Sequence, residues 1–318
     1  MEITAKFGKP IKPQWRSKPM AIKIDNVAVL GLGTLGGQIA LQARVSGYEV
    51  TAFDPDPDAL KKSLEKFMEV DQSKVRPSPI RVELWPEAAS QIRTFPTLAD
   101  AVKEADLVIE VVPEELELKR KVWKEMDEAA PPEALFATNS SSMPVSRMEG
   151  ATGRPERCMN LHFYHMTLGQ NMADVMGGSR TSPEVLEAGR RFVRTLGVVP
   201  LKVNKEILGF CFNRVWRAIK RETLHMWADG YVDFKDVDRA WMIFAGTPWG
   251  PFALMDTVGL DVIYDIEMVY YEDSKDPKDH PPQGLKRLVE EGKLGVKAGE
   301  GFYKYPNPAY LDSDFLKP

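Results

Sequence analysis

Histidine is the side chain best placed to move a proton near neutral pH, and this chain has only four of them. His162 ends the strand-like run RCMNLHF. Asp174 follows twelve residues later in MADVMGG, itself a short candidate strand. If the two runs pair around the loop between them, Asp174 reaches the imidazole. A carboxylate on one ring nitrogen fixes the tautomer and stabilises the imidazolium, leaving the other nitrogen to take a proton from an alcohol. That is what oxidation of a hydroxyl needs when its hydride leaves. His165 is a rival base three residues on, whereas His225, inside a helical pattern, and His280, in a proline-rich loop, read as surface or satisfied core.

A second constellation supplies a hydride partner. Gly31, Gly33 and Gly36 form G-x-G-x-x-G directly after the β-branched run Val27 to Leu30 and directly before an apolar-periodic stretch. In a strand-to-helix turn these glycines serve a tight turn, close approach of backbone to pyrophosphate, and close packing of helix on strand. The backbone of Gly31, Gly33, Thr34, Leu35 and Gly36 is thus the expected phosphate cradle, at a helix end that offers N–H groups and a positive dipole. Asp54 closes the next strand-like run, TAFDPD, 21 residues after Gly33. A carboxylate there accepts hydrogen bonds from ribose hydroxyls and repels a 2′-phosphate, so NAD is expected rather than NADP. The competing role for Asp54 is a cap on a helix starting at Pro55. Asn139, Ser140, Ser141 and Ser142 follow another strand-like run in FATNSSS, as donors at a strand end or as a capped turn. Asn213 lies in the mostly apolar GFCFNRVW near a helix start, where a buried amide needs a partner from protein or substrate.

The elements that must position these groups alternate. From Asn26 the chain reads strand, glycine turn, helix, strand; a helix is predicted over 56–70, then a proline-broken segment RPSPIRVELWPEAA. ADLVIEVVPE is a buried strand followed by a charged helix from about Glu115 to Ala130. Such alternation predicts an α/β domain with a doubly wound, Rossmann-type parallel sheet over 25–204. After about Asn204 only long helical patterns appear, so 205–318 is expected to be an all-helical C-terminal domain, with 1–24 a Lys/Pro-containing arm.

The 318 residues, 43% hydrophobic and 28% charged, are ordinary for two globular domains. A net charge of −4 argues against nucleic acid as a partner, and no apolar run is long enough for a membrane span. Cys158 and Cys211 form neither a disulfide framework nor a CxxC pair, so no metal is expected and a reducing cytoplasm fits.

In sum these motifs resemble, from about Asn26 to Tyr305, the L-3-hydroxyacyl-CoA dehydrogenase family. TNSSSMP is similar to the family's N-T-S-S-L, LHFYHM to H-F-F-N-P, and GFCFNR to G-F-x-x-N-R. GTPWGPFALMDTVGLD and GKLGVKAGEGFYKY are similar to its C-terminal signature. The resemblance implies that His162 is the acid–base group and Asp174 stands where the family has glutamate. It also implies that Ser141 and Asn213 lie by the substrate's reacting end, that Glu114 and Lys119, with Asn139, lie on the nicotinamide side, and that the helical domain forms a homodimer. The chain departs from the family in its shorter Asp174, in His165-Met166 replacing Asn-Pro, and in Trp249 within the G-x-P-x-G-P-F turn. The family's long lysine-rich helical pair gives way to a shorter helix and RPSPIRVELWPE. The substrate is therefore an acyl-CoA, met by Lys61, Lys62 and Lys66, or a free hydroxy acid or alcohol. A non-catalytic NAD-binding protein is the remaining reading.

Overall fold

Val27, Ala28, Val29 and Leu30 are fully buried, as a strand covered on both faces requires. They form strand β1 (Asn26–Leu30) in a computed structural model that describes residues 22–71, 75 and 77–317. The Lys/Pro arm, apart from its last residues, and Arg76 of the proline-broken segment lie outside the described residues. Helix α1 (Thr34–Val45) returns the chain to β2 (Glu49–Phe53), parallel to β1. Helix α2 (Ala59–Met68) is shorter at both ends than the predicted 56–70. Its start is delayed because Asp54 and Asp56 each accept a backbone N–H two residues on, from Asp56 and Asp58, which holds the chain in turns. The proline-broken segment ends in α3 (Trp85–Gln91), whose Trp85 indole packs edge-on against Phe67 and donates to Gln42 of α1.

The sheet continues with β3 (Arg93–Thr94), α4 (Leu98–Val102), β4 (Leu107–Glu110), α5 (Leu116–Ala129) and β5 (Leu135–Thr138). Then come β6 (Cys158–Phe163), β7 (Met172–Gly177), α6 (Pro183–Thr195) and β8 (Val199–Val203). The strand order is β3-β2-β1-β4-β5-β6-β7-β8, and every neighbouring pair is parallel except β6 with β7. Order reverses at β1, which pairs with β2 on one side and β4 on the other, so the carboxyl ends of these strands open a crevice where dinucleotides bind in such sheets. Alternate residues of β1 serve two cores: Val27 and Val29 face a cluster with Ile39, Phe67, Trp85 and Phe192, and Ala28 and Leu30 face one with Leu98, Val102, Trp123 and Met126.

Contacts divide the chain at Leu208 and Gly209. The second unit holds α7 (Phe212–Ala228), α8 (Phe234–Ala245), α9 (Pro251–Val258), α10 (Leu260–Ser274) and α11 (Gln283–Glu290) around Leu224, Phe252, Met255, Ile263 and Leu285. Two buried carboxylates tie it together. Asp238 of α8 accepts the Phe252 and Ala253 N–H groups in the first turn of α9 and the Tyr303 hydroxyl. Asp256 of α9 does the same for Phe302, Tyr303 and Tyr305. Burial outweighs these bonds and pushes Asp238 up to about 6. Among the described residues no helix is long and apolar enough to cross a membrane.

Candidate active site

The glycine turn is built as its spacing suggests, and each glycine has a different reason. Gly31 has φ of +94°, and a Cβ there would sit 2.6 Å from Val111 O. A Cβ on Gly36 would collide with Gly31 O, so this position lets α1 pack against the turn. Gly33 is different: φ is −63° and a Cβ would meet nothing within 4 Å, so the fold itself does not require glycine there. What glycine preserves is open space beside the first turn of α1, where Thr34 and Leu35 begin a helix with no side-chain cap and no acidic residue. An anion approaching those N–H groups meets backbone only. The donor set therefore suits a pyrophosphate.

Beside the turn lies a cleft of about 640 Å³ lined in part by Gly31, Gly33, Phe53, Asp54, Val112 and Leu118. Asp54 does not cap α2, whose N-cap is Asp58. Its Oδ2 accepts the Leu32 N–H at 2.7 Å and its Oδ1 the Asp56 N–H at 2.8 Å. The carboxylate is thereby fixed at the rim with lone pairs left for ribose hydroxyls. Ser63 of α2 donates to Leu32 O at 2.7 Å, so α2 also braces the turn.

At the carboxyl ends of β4 and β5 a buried ionic cluster shapes the neighbouring segment. The Lys119 ammonium, 1% exposed, lies 2.7 Å from Glu110 Oε1 and 3.2 Å from Glu114 Oε2, and donates to Val112 O. Glu110, fully buried, also accepts from Trp123 and Thr138. Burial pushes the Glu114 carboxyl up, but the Lys119 charge and bonds from Ser140, Ser142 and Lys119 overcome it and hold the group below the ordinary glutamate range. Ser140 and Ser142 both donate to Glu114 Oε1, and Ser141, between them, is exposed. Asn139 accepts the Phe163 N–H at 2.8 Å, fastening the serine turn to the end of β6.

In β6 and β7, His162 and Asp174 are directly opposed in antiparallel register. Opposed residues share a face with Cβ atoms about 5 Å apart, so the short aspartate reaches the ring. His162 Nδ1 lies 3.0 Å from Asp174 Oδ2, with the residues 4% and 0% exposed. Asn160, two residues earlier on the same face, bonds Val145 N and Met143 O and so holds the far end of the serine turn. His165 lies beyond the strand, and burial pushes its imidazole below the usual histidine value. Asn213 belongs to the second unit, in the first turn of α7, half-buried.

Sequence reasoning did not single out Glu110, Gln38, Asn160 or Tyr164. Gln38 of α1, fully buried, accepts the Thr167 N–H at 3.1 Å and so joins that helix to the loop after His162. Glu110 carried one available signal, an acidic residue inside the apolar run LVIEVV.

Residues 26–207 match the NAD binding domain of 3-hydroxyacyl-CoA dehydrogenase, and residues 209–305 match the C-terminal domain of the same enzyme. The chain belongs to the 3-hydroxyacyl-CoA dehydrogenase family. It is an NAD-dependent dehydrogenase acting on a CH–OH group. It is 34% identical over 290 residues to the mitochondrial hydroxyacyl-coenzyme A dehydrogenase of Sus scrofa, covering 89% of this chain and 92% of that one. It is 30% identical over 285 residues to the 5-formyl-3-hydroxy-2-methylpyridine 4-carboxylate 5-dehydrogenase of Mesorhizobium japonicum, covering 89% and 91%. A solved diketoreductase, described as catalysing reactions of dicarbonyl compounds, superimposes with a TM-score of 0.77 at 38% identity, covering 89% of this chain and 99% of its own.

Proposed function

We propose that this 3-hydroxyacyl-CoA dehydrogenase family member interconverts a 3-hydroxyacyl thioester of coenzyme A and its 3-ketoacyl counterpart, with His162 and Asp174 as its acid–base pair. The observation that carries this reading is the buried contact between His162 Nδ1 and Asp174 Oδ2. With Nδ1 held by the carboxylate, Nε2 is the nitrogen that exchanges a proton with the substrate. In oxidation the hydroxyl proton passes to Nε2 as the carbonyl forms, and Asp174 stabilises the imidazolium. In reduction the same proton returns to the carbonyl oxygen. NAD, when bound, accepts the hydride in one direction and returns it in the other. Gly31, Gly33, Thr34, Leu35 and Gly36 hold its pyrophosphate and Asp54 its ribose. Glu114 and Asn139 border the nicotinamide side, with Lys119 setting the position and charge of Glu114. Ser141, exposed on its turn, is assigned to the substrate. The exposed Lys61, Lys62 and Lys66 on α2 suit the phosphates of coenzyme A.

A second reading keeps the chemistry and drops coenzyme A. The likeness to the diketoreductase and the His165-Met166 departure favour it, as does the short α2. NADH oxidation with acetoacetyl-CoA, run beside free 3-keto acids and diketones, separates the two. Turnover of the thioester in preference to the free compounds is expected; turnover of the free compounds alone would replace the first reading with the second.

The second unit is assigned to homodimer formation. Val262, Ile266 and Val269 of α10, with Phe212 and Val215 of α7, are exposed apolar side chains. Cys158 and Cys211 are free thiols, which suits a reducing compartment such as the cytoplasm.

A further inference from the structure

Two of the chain's departures from the family, one in the histidine segment and one on the strand opposite it, touch each other. Tyr164 stands where the quoted family motif has its second phenylalanine, and Asp174 stands where the family has glutamate. The Tyr164 hydroxyl donates to Asp174 Oδ2 at 2.8 Å, the same oxygen that lies 3.0 Å from His162 Nδ1. Tyr164 is two residues beyond His162, so the strand period brings both rings to one face, and their centroids are 4.6 Å apart at 62°. The phenol thus walls the imidazole on one side and shares its carboxylate.

We propose that Tyr164 is a positioning residue of the acid–base site, forming a His162–Asp174–Tyr164 triad in which the phenol tunes the basicity of His162 through their shared carboxylate oxygen. This deepens the acid–base assignment above and rests on it. An aspartate is shorter than a glutamate and has less freedom to aim its oxygens. A second donor on Oδ2 fixes the carboxylate rotamer against the ring. The same donor draws charge from Oδ2 and weakens its hold on an imidazolium Nδ1–H. One oxygen thus serves both rings, and removing the phenol donor would return its full accepting strength to the imidazole.

The titratable groups set against the imidazole include the Asp174 carboxylate from β7 and the Tyr164 phenol beyond β6. Helix α6 packs on the opposite face of β6, where Gly189 lies against Met159 and Leu161, so its charged residues do not face the ring. On the imidazole's own face the turn Val145–Arg147 is joined to β6 by the neutral amide of Asn160, and its Ser146 hydroxyl donates to Glu206 of the segment after β8.

The test is a titration of the histidine ring signals by NMR in the full chain, which needs no substrate. Only four histidines are present, and the His162→Gln variant identifies the signal of interest. Tyr164→Phe keeps the ring and removes the donor. The His162 midpoint is expected to rise by roughly half to one pH unit, while the other three stay in place. A His162 midpoint within about 0.2 units of wild type would overturn the proposal. Should Tyr164→Phe fail to fold, labelling the native chain with 3-fluorotyrosine strengthens the phenol as a donor. It is expected to lower the His162 midpoint, and an unmoved midpoint again counts against the triad. Failure of the underlying acid–base assignment shows on a different readout, turnover retained by His162→Ala, so the two failures are distinguishable.

Discussion

Replacing Gly33 and Gly36 separately with alanine should divide what the glycine turn does for the fold from what it does for the cofactor. At Gly36 the new methyl would run into Gly31 O, and Gly31 cannot yield because its own position is backed by Val111 O. Helix α1 must shift, at a cost of about 1–3 kcal/mol for an overpacked site, so Gly36→Ala loses stability and cofactor affinity together. At Gly33 φ is −63° and the methyl meets nothing within 4 Å, so stability should stay within about 0.5 kcal/mol of wild type. The methyl does occupy the space through which a phosphate reaches the N–H groups of α1. Losing one charge-assisted bond to a backbone donor costs about 1.5–3 kcal/mol, roughly 10- to 100-fold in NADH affinity. Urea unfolding and NADH fluorescence titration measure the two quantities on the same samples. Gly33→Ala binding NADH within about twofold of wild type, or losing as much stability as Gly36→Ala, would refute the reasoning.

Asp54→Ala should weaken NADH binding about tenfold or more and also leave the Leu32 N–H without its acceptor; unchanged affinity in the same titration would remove Asp54 from the ribose site. Lys119→Met leaves Glu110 and Glu114 without their buried cation, and urea unfolding should register a loss of about 3 kcal/mol or more; a loss under about 1 kcal/mol would show that the cluster relaxes. Asp238 has a folded-state value of about 6 against an ordinary 3.8, so the folded protein binds the proton more tightly than the unfolded chain. Its contribution to stability is therefore greatest below about pH 4 and is lost as pH rises to about 6, by roughly 3 kcal/mol in total. The stability difference between wild type and Asp238→Asn should shrink across that window, and a difference independent of pH would contradict the shift.

The geometry of the glycine turn was legible because all its information is local. Gly31, Gly33, Gly36 and Asp54 lie within one strand, helix, strand unit, where spacing along the chain fixes spacing in space. The pairing of His162 with Asp174 was half legible: two short runs separated by a loop suggest a hairpin, but a slip of one residue would have put the two side chains on opposite faces. The register His162↔Asp174 is set by the whole length of β6 and β7 and cannot be read from either residue. Asn160 and Gln38 were not legible because their partners, Val145 and Thr167, are distant in sequence, and Glu110 was not because its partners Lys119, Trp123 and Thr138 come from the next helix and strand. Polar residues in apolar runs announce that a partner exists without naming it. Lys119 reads as one cation among many on the charged helix α5, and only the fold shows that it is buried against Glu110.

The central claim is that His162 carries the proton, and the most direct measurement is NADH oxidation with acetoacetyl-CoA by wild type and His162→Ala, alongside NADH affinity for both. The account predicts that turnover falls by about 10²- to 10⁴-fold while NADH binds as before, because the cofactor turn makes no use of the imidazole. Turnover by His162→Ala within about threefold of a fully active wild type would contradict it.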